Sequence, residues 1–307
     1  MNSNEFFGSY ERVFRHRKTN SSGYRERNAT LELLKSSILV AFSGALRIHI
    51  AFLLLQIQSS LLTCIAGGLI IYTVYTLDRA LESEEDTVNR KELNGSRREV
   101  ALVVSLLAFA AGTYILAKEG LIALAFVPFL TGYLYSKGIK IGKFALKLKG
   151  GLGVKNLVVG VTWGTFIAGL AGSSCVHLLP ILLVFSFFGI KLFINSAIYD
   201  FKDIKGDTLA GIKTLPVSLG ARNTRYLLTT MHMIVHLVLG IALIEGILAF
   251  EPLIVLYSFV CGMLCIQSYT RVADEELPFQ KLERTFLVDG ESTSIVGLRL
   301  FASALLS

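Results

Sequence analysis

Nine apolar stretches, separated by short polar or basic segments, run along the chain from residue 31 to residue 306. About 20 consecutive apolar residues carry an α-helix across the hydrocarbon of a bilayer. The stretches are continuous rather than alternating, which predicts helices and not the strands of a transmembrane barrel. Helices are expected at about 31–52, 57–80, 98–117, 120–136, 154–173, 178–201, 222–245, 250–270 and 289–306. Ser36 to Tyr75 is too long for one span, and the polar run Gln56-Ile57-Gln58-Ser59-Ser60 divides it. The fold class is therefore all-α, a polytopic membrane bundle of about nine transmembrane helices.

Basic residues sharpen the topology. Lys and Arg gather in the N-terminal tail, in the 2–3 loop (Arg79, Arg90, Lys91, Arg97, Arg98), in the 4–5 loop from Lys137 to Lys155, in the 6–7 loop and in the 8–9 loop. The intervening loops are almost bare of them, Lys118 excepted. Such alternation places the basic loops in the cytoplasm, with the N-terminus inside and the C-terminus outside. Residues 1–29 read as a basic cytoplasmic tail and 30–307 as one domain, with no linker to divide it and no cleaved signal peptide. Arg47 stands inside the first helix, where a charge is costly.

Composition agrees and narrows the function. Of the 307 residues 53% are hydrophobic and only 17% charged, with mean hydropathy +0.59, which excludes a soluble enzyme. The net charge of +7 follows from the loop bias and does not call for nucleic acid. Cys64, Cys175, Cys261 and Cys265 lie in or beside apolar segments, without the spacing of a disulfide or zinc framework. His232 and His236 have metal-ligand spacing but no third ligand nearby, so they read as interhelical hydrogen-bonding groups. Gly160 and Gly164, next to Trp163, form a small-residue pattern suited to close helix packing.

Acidic residues cluster at two helix ends. After the second helix Asp78, Glu82 and Asp86 recur every four residues, with Glu84 and Glu85 between them; after the sixth come Asp200, Asp203 and Asp207. Carboxylates four apart share a helix face and repel. Each cluster is either a solvated helix end or a site for a hard cation. Mg2+ takes one or two carboxylates, keeps waters and shares substrate phosphate oxygens. Both clusters neighbour Lys-rich cytoplasmic loops, and carboxylates, Mg2+ and basic side chains together describe a diphosphate site. Lys191 lies deep in the sixth helix with Asn195 and Tyr199 on the same face. It either snorkels or faces a polar cavity and the anionic substrate.

The run Asp200-x-x-Asp203-x-x-x-Asp207-x-x-x-Gly211-x-x-Thr214-Leu215-Pro216 closely resembles the second aspartate motif of the UbiA superfamily of intramembrane prenyltransferases. The helix count, the position of both acidic motifs, the Tyr135-to-Lys140 segment and Lys155-Asn156 extend the resemblance over the chain. It implies Mg2+ held by Asp203 and Asp207 with Asp200 in support, and a second Mg2+ on Asp78 and Glu82. Asp78, Asp203 and Asp207 would be the catalytic aspartates. Lys140 would touch the diphosphate, with Lys155, Lys191, Lys202 and Arg79 added to the same role. The implied reaction moves a prenyl group from a polyprenyl diphosphate to a lipophilic acceptor, aromatic or quinone-like, with an active site on the cytoplasmic face of the cell membrane. The first motif departs from the family pattern: Val74 replaces its Asn and Glu82 its last Asp. An ether-lipid enzyme acting on a glycerol phosphate, or a non-catalytic isoprenoid-binding protein, stays open. A transporter is disfavoured, because no paired broken helices are visible.

Overall fold

The computed structural model describes residues 29–81, 97–137, 139–141, 144–146, 153–209, 211–271 and 278–306. Helices occupy the places that the apolar stretches predict: α1 (Ile38–Leu54), α2 (Leu61–Ala80), α3 (Arg98–Lys118), α4 (Ile122–Lys137), α5 (Val154–Gly172), α6 (Leu178–Leu209), α7 (Leu215–Ile244), α8 (Pro252–Tyr269) and α10 (Glu291–Leu306). A helical segment at 29–35 leads into α1 through a turn at Ser36 and Ser37. Seven helices among the described residues are long and apolar enough to cross a membrane; α4 and α10 have 16 residues each. The chain is an integral membrane protein. Its large side chains left exposed, such as Leu107 and Leu237, face the lipid that a helix bundle has around it.

Three features depart from the apolar pattern. A short antiparallel hairpin, β1 (Ile139–Ile141) with β2 (Phe144–Leu146), sets Lys140 opposite Ala145; three-residue strands leave no periodic trace. A short helix, α9 (Pro278–Arg284), precedes a π-helical turn over Thr285–Asp289. And α7 begins at Leu215, seven residues before the expected start, with a break at Gly220, where φ is 77°. Only a residue without a Cβ takes that backbone conformation without strain.

Local chemistry accounts for the boundaries. Gln56 adopts φ 57° and ends the first span, and the Ser60 hydroxyl then caps α2 by accepting from Thr63 N–H at 3.2 Å. At the other end of the bundle, Gly211 sits at φ 70°. Ile212 N donates to Asp207 O at 2.8 Å and Gly211 N to Thr208 O at 3.2 Å, the paired bonds of a Schellman cap. Thr214, with extended backbone, then stands at the N-terminal boundary of α7 without a side-chain capping bond, and Pro216 lies in the first turn where no N–H is missed. The Gly211-x-x-Thr214-Leu215-Pro216 signature is thus the end of one helix and the beginning of the next.

The bundle packs α5 along α6 and α2 along α3. Added as a Cβ, one atom at Gly160 would lie 2.6 Å from Gly189 O, and at Gly164 2.9 Å from Phe185 O. The expected small-residue contact is therefore an α5–α6 contact, and it brings the N-terminal end of α5 against the acidic end of α6. His232 and His236 bond across to α8, with Nε2 of the first 2.9 Å from Phe259 O and Nε2 of the second 3.3 Å from Ser258 Oγ. All four cysteines are free thiols.

Candidate active site

A cavity of about 610 Å³ opens between α1, α2, α4, α5, α6 and the segment 284–289. Its wall is divided by chemistry. Leu39, Val40, Val74, Pro128, Val158, Val159, Trp163 and Leu192 supply an apolar part, while Asp78, Arg79, Lys155, Lys202 and Asp203 supply a charged part. Trp163 stacks on Tyr75, with ring centroids 5.7 Å apart and planes 15° from parallel. A pocket with one apolar and one charged end suits an amphiphile whose head is anionic.

Asp78 and Asp203, far apart in sequence, meet in this one wall together with Arg79, Lys155 and Lys202. Other expected site residues stand elsewhere. Asp200 is fully buried and does not line the cavity: its Oδ1 accepts from Lys155 Nζ at 2.6 Å and its Oδ2 from Asn156 Nδ2 at 2.8 Å. Both of its oxygens are held by side chains of α5. Asp207 is buried one turn beyond Asp203, with an Oδ2 that has no hydrogen-bond partner. Burial raises its carboxyl to about 6, opposed by Lys155 and reinforced by Asp200 and Asp203.

Lys191 corrects its expectation. Its Nζ is 2.7 Å from Glu291 Oε1 and 3.3 Å from Ser258 O, and it borders a small pocket of about 20 Å³ instead of lining the main cavity. The charge is neutralised by a carboxylate from α10, a partner that no spacing within α6 could reveal. Lys140 stands in β1, and its side chain lies outside the described part. Glu82, Glu84, Glu85 and Asp86 likewise lie outside the described residues, as does the basic tail apart from Ala29.

Among the further residues that enter the wall unannounced by the motifs are Arg47, Asn195, Tyr199, Arg284 and Asp289. Three carried a legible signal. Arg47 is an ionisable residue inside an apolar helix, and Asn195 with Tyr199 forms a polar face on α6. Asp289 and Arg284 had none, since the turn that folds them inward is tertiary.

The donor set bears on Mg2+. Among the described residues no group of three or more His, Cys, Asp or Glu could hold a metal alone. Mg2+ does not require one, since substrate phosphates complete its octahedron. Asp78 and Asp203 offer carboxylates from different helices, and Asp207 keeps an unsatisfied buried oxygen. These residues fit a site completed by a diphosphate.

Comparison with known proteins points the same way. The model of the UbiA prenyltransferase family matches residues 57–287. The digeranylgeranylglyceryl phosphate synthase of Sulfolobus acidocaldarius is 28% identical over 167 residues, which are 52% of this chain and 54% of that protein; the chain thus matches about half the length of that curated relative. Among solved structures, a UbiA homologue from Archaeoglobus fulgidus bound to GPP and Mg2+ superposes with TM-score 0.60 at 15% identity, over 88% of this chain and 99% of that one. The apo form of a UbiA homologue from Aeropyrum pernix K1 superposes with TM-score 0.58 at 13% identity, over 85% and 98%.

Proposed function

Given that the chain belongs to the UbiA prenyltransferase family, we propose that it transfers a prenyl group from a polyprenyl diphosphate to a lipophilic acceptor, releasing pyrophosphate, with Mg2+ as its cofactor. The observation that carries this reading is the meeting of Asp78 and Asp203, from separate helices, in one wall beside Arg79, Lys155 and Lys202. Asp78, Asp203 and Asp207 are the residues that would hold Mg2+. When bound, the ion supplies positive charge against the charge that grows on the leaving diphosphate. Lys155, aimed by Asp200, whose other oxygen Asn156 holds, Lys202 and Arg79 steer the diphosphate and share that load. The apolar wall takes the isoprenoid chain, and the Tyr75–Trp163 pair presents π-faces where positive charge develops on the allylic carbon. The basic loops support an active site on the cytoplasmic face of the cell membrane.

For the acceptor, the relative from Sulfolobus acidocaldarius favours an alcohol of the glycerol phosphate class, and the cationic Arg47 and Arg284 in the wall suit an anionic acceptor. The stacked Tyr75 and Trp163 favour the second reading, a planar aromatic acceptor. The test is pyrophosphate release by the protein in lipid nanodiscs with Mg2+ and C10–C25 allylic diphosphates, beside Asp203→Asn and Asp207→Asn. Release that needs Mg2+ and both aspartates is expected, with mass spectrometry naming the product. Binding of the diphosphate without release would make the chain an isoprenoid-binding protein instead.

A further inference from the structure

Prenyl transfer to an alcohol releases a proton, and neither aspartate motif names a group to take it. The structure supplies one outside both motifs. Asp289 lines the cavity, and its Oδ2 accepts a hydrogen bond of 2.5 Å from the Tyr199 hydroxyl. Tyr199 stands on α6 one turn before Asp203, so the pair adjoins the end where the diphosphate would sit. The Arg284 guanidinium lies over the Tyr199 ring at 4.7 Å, and Arg47 Nη2 donates to the Asp289 backbone carbonyl at 3.4 Å. The groups acting on the Asp289 carboxylate come from every side: Arg47 of α1, Arg79 and Tyr75 of α2, Tyr199 of α6 and Arg284 of α9. Asp289 also ends the π-helical turn Thr285–Asp289. Such turns cost hydrogen-bond geometry and are frequent at functional sites; here the turn sets Arg284, Thr285 and Asp289 into the same wall.

We propose that Asp289, with Tyr199 as its hydrogen-bonded partner, takes the hydroxyl proton of an alcohol acceptor during prenyl transfer. The inference rests on the prenyl-transfer reading above. The C1–O bond of the prenyl diphosphate breaks and its electron pair leaves with pyrophosphate. A lone pair of the acceptor oxygen forms the new C–O bond to C1. The acceptor proton passes to the Asp289 carboxylate, directly or by way of the Tyr199 hydroxyl, and from there to water in the open cavity.

The experiment uses the full chain in nanodiscs with Mg2+, geranylgeranyl diphosphate and either geranylgeranylglyceryl phosphate or its 2-thiol analogue at pH 9. The thiol is far more acidic than the alcohol and its ionised fraction grows toward pH 9, so transfer to it depends less on a protein base. Folding and site integrity are read from Mg2+-dependent binding of the unreactive geranylgeranyl thiolodiphosphate. Asp289→Asn keeps an oxygen for the Tyr199 hydrogen bond and loses only the basic group. It is expected to bind the analogue like wild type, to lose transfer to the alcohol by about 10²–10⁴-fold, the usual span for a general base, and to keep transfer to the thiol within about tenfold. Alcohol transfer at a tenth of wild type or more would assign the proton to pyrophosphate and overturn the inference. Equal loss with alcohol and thiol, or loss of analogue binding, would make Asp289 a structural residue and overturn it too. Asp203→Asn separates the two readings. Transfer abolished there but retained in Asp289→Asn sinks this inference alone, whereas a wild-type chain that transfers to neither acceptor sinks the alcohol reading along with it.

Discussion

The two acidic helix ends are built to different standards. At the end of α6 one continuous helix of 32 residues carries Asp200, Asp203 and Asp207. It is braced from α5 by Lys155 and Asn156 and closed by the Schellman cap at Gly211. At the end of α2 the described helix stops at Ala80 with Asp78 as its one acid. Val74 stands a turn earlier, packed so closely against α4 that a Cβ on Gly132 would fall 2.8 Å from its Cγ1. At the α6 end Asp200 is held before any ligand arrives, by Lys155 and the buried Asn156. Among the described residues the α2 end has one carboxylate, Asp78, and a methyl-bearing side chain, Val74, where the family pattern has an amide. In the proposed site, recognition of a metal and diphosphate would lean on the described α6 end, with Asp78 of α2 completing it.

The comparison can be broken at its strong end first. Asp203→Asn should lower prenyl transfer by about 10²–10³-fold, the cost of removing one preorganised electrostatic group, in a pyrophosphate-release assay. Asp78→Asn should cost less at saturating Mg2+. Equal losses would erase the asymmetry.

The bracing is tested by stability. Lys155→Met strands Asp200, which is 0% exposed, with only Asn156 to serve it. Breaking such a buried pair costs about 3–5 kcal/mol, seen as a lower midpoint of thermal unfolding in detergent. Asp200→Asn should cost less, since the Lys155 side chain, 25% exposed, can turn its ammonium toward the cavity. The reverse order would show that Asp200 is not the buried member of the pair.

The weak end can be strengthened. Val74→Asn adds an amide oxygen beside Asp78, and the Mg2+ concentration for half-maximal activity should fall by up to about tenfold, the lower range of effects for groups supporting a metal site. No change would mean that α2 contributes no ligand besides Asp78 near that position.

The smallest effect is the pH dependence of Asp207. Its folded carboxyl is raised to about 6 from an ordinary value of 3.8, so the folded state binds the proton more tightly than the unfolded one. The metal-free protein should gain stability from this below about pH 4 and lose it as pH rises through 6. Mg2+ needs the deprotonated form, so its stabilisation should grow over the same window. Thermal unfolding from pH 4 to 8, with and without Mg2+, reads both trends, and Asp207→Asn should flatten them.

Much of this molecule is legible in one dimension because the bilayer makes it so. A membrane helix satisfies its own backbone and must be apolar for about 20 residues. The helices, the break at Gln56 to Ser60 and the α5–α6 small-residue contact therefore leave local marks. So does the second acidic motif, whose Gly211, Thr214 and Pro216 are cap and start signals. The side-chain partners were not legible, because an ion pair depends on which helix faces which. Lys191 meets Glu291 from α10, a hundred residues away, and Asp200 pairs with Lys155 of α5. Asp289 enters the cavity only because a π-turn after α9 folds it against Tyr199. The sequence by itself determined a helical membrane protein with two acidic helix ends, because hydropathy and capping act over one or two turns. Only the tertiary structure decided which charges share the cavity and which neutralise one another, because that pairing is fixed by helix packing between residues far apart in the chain.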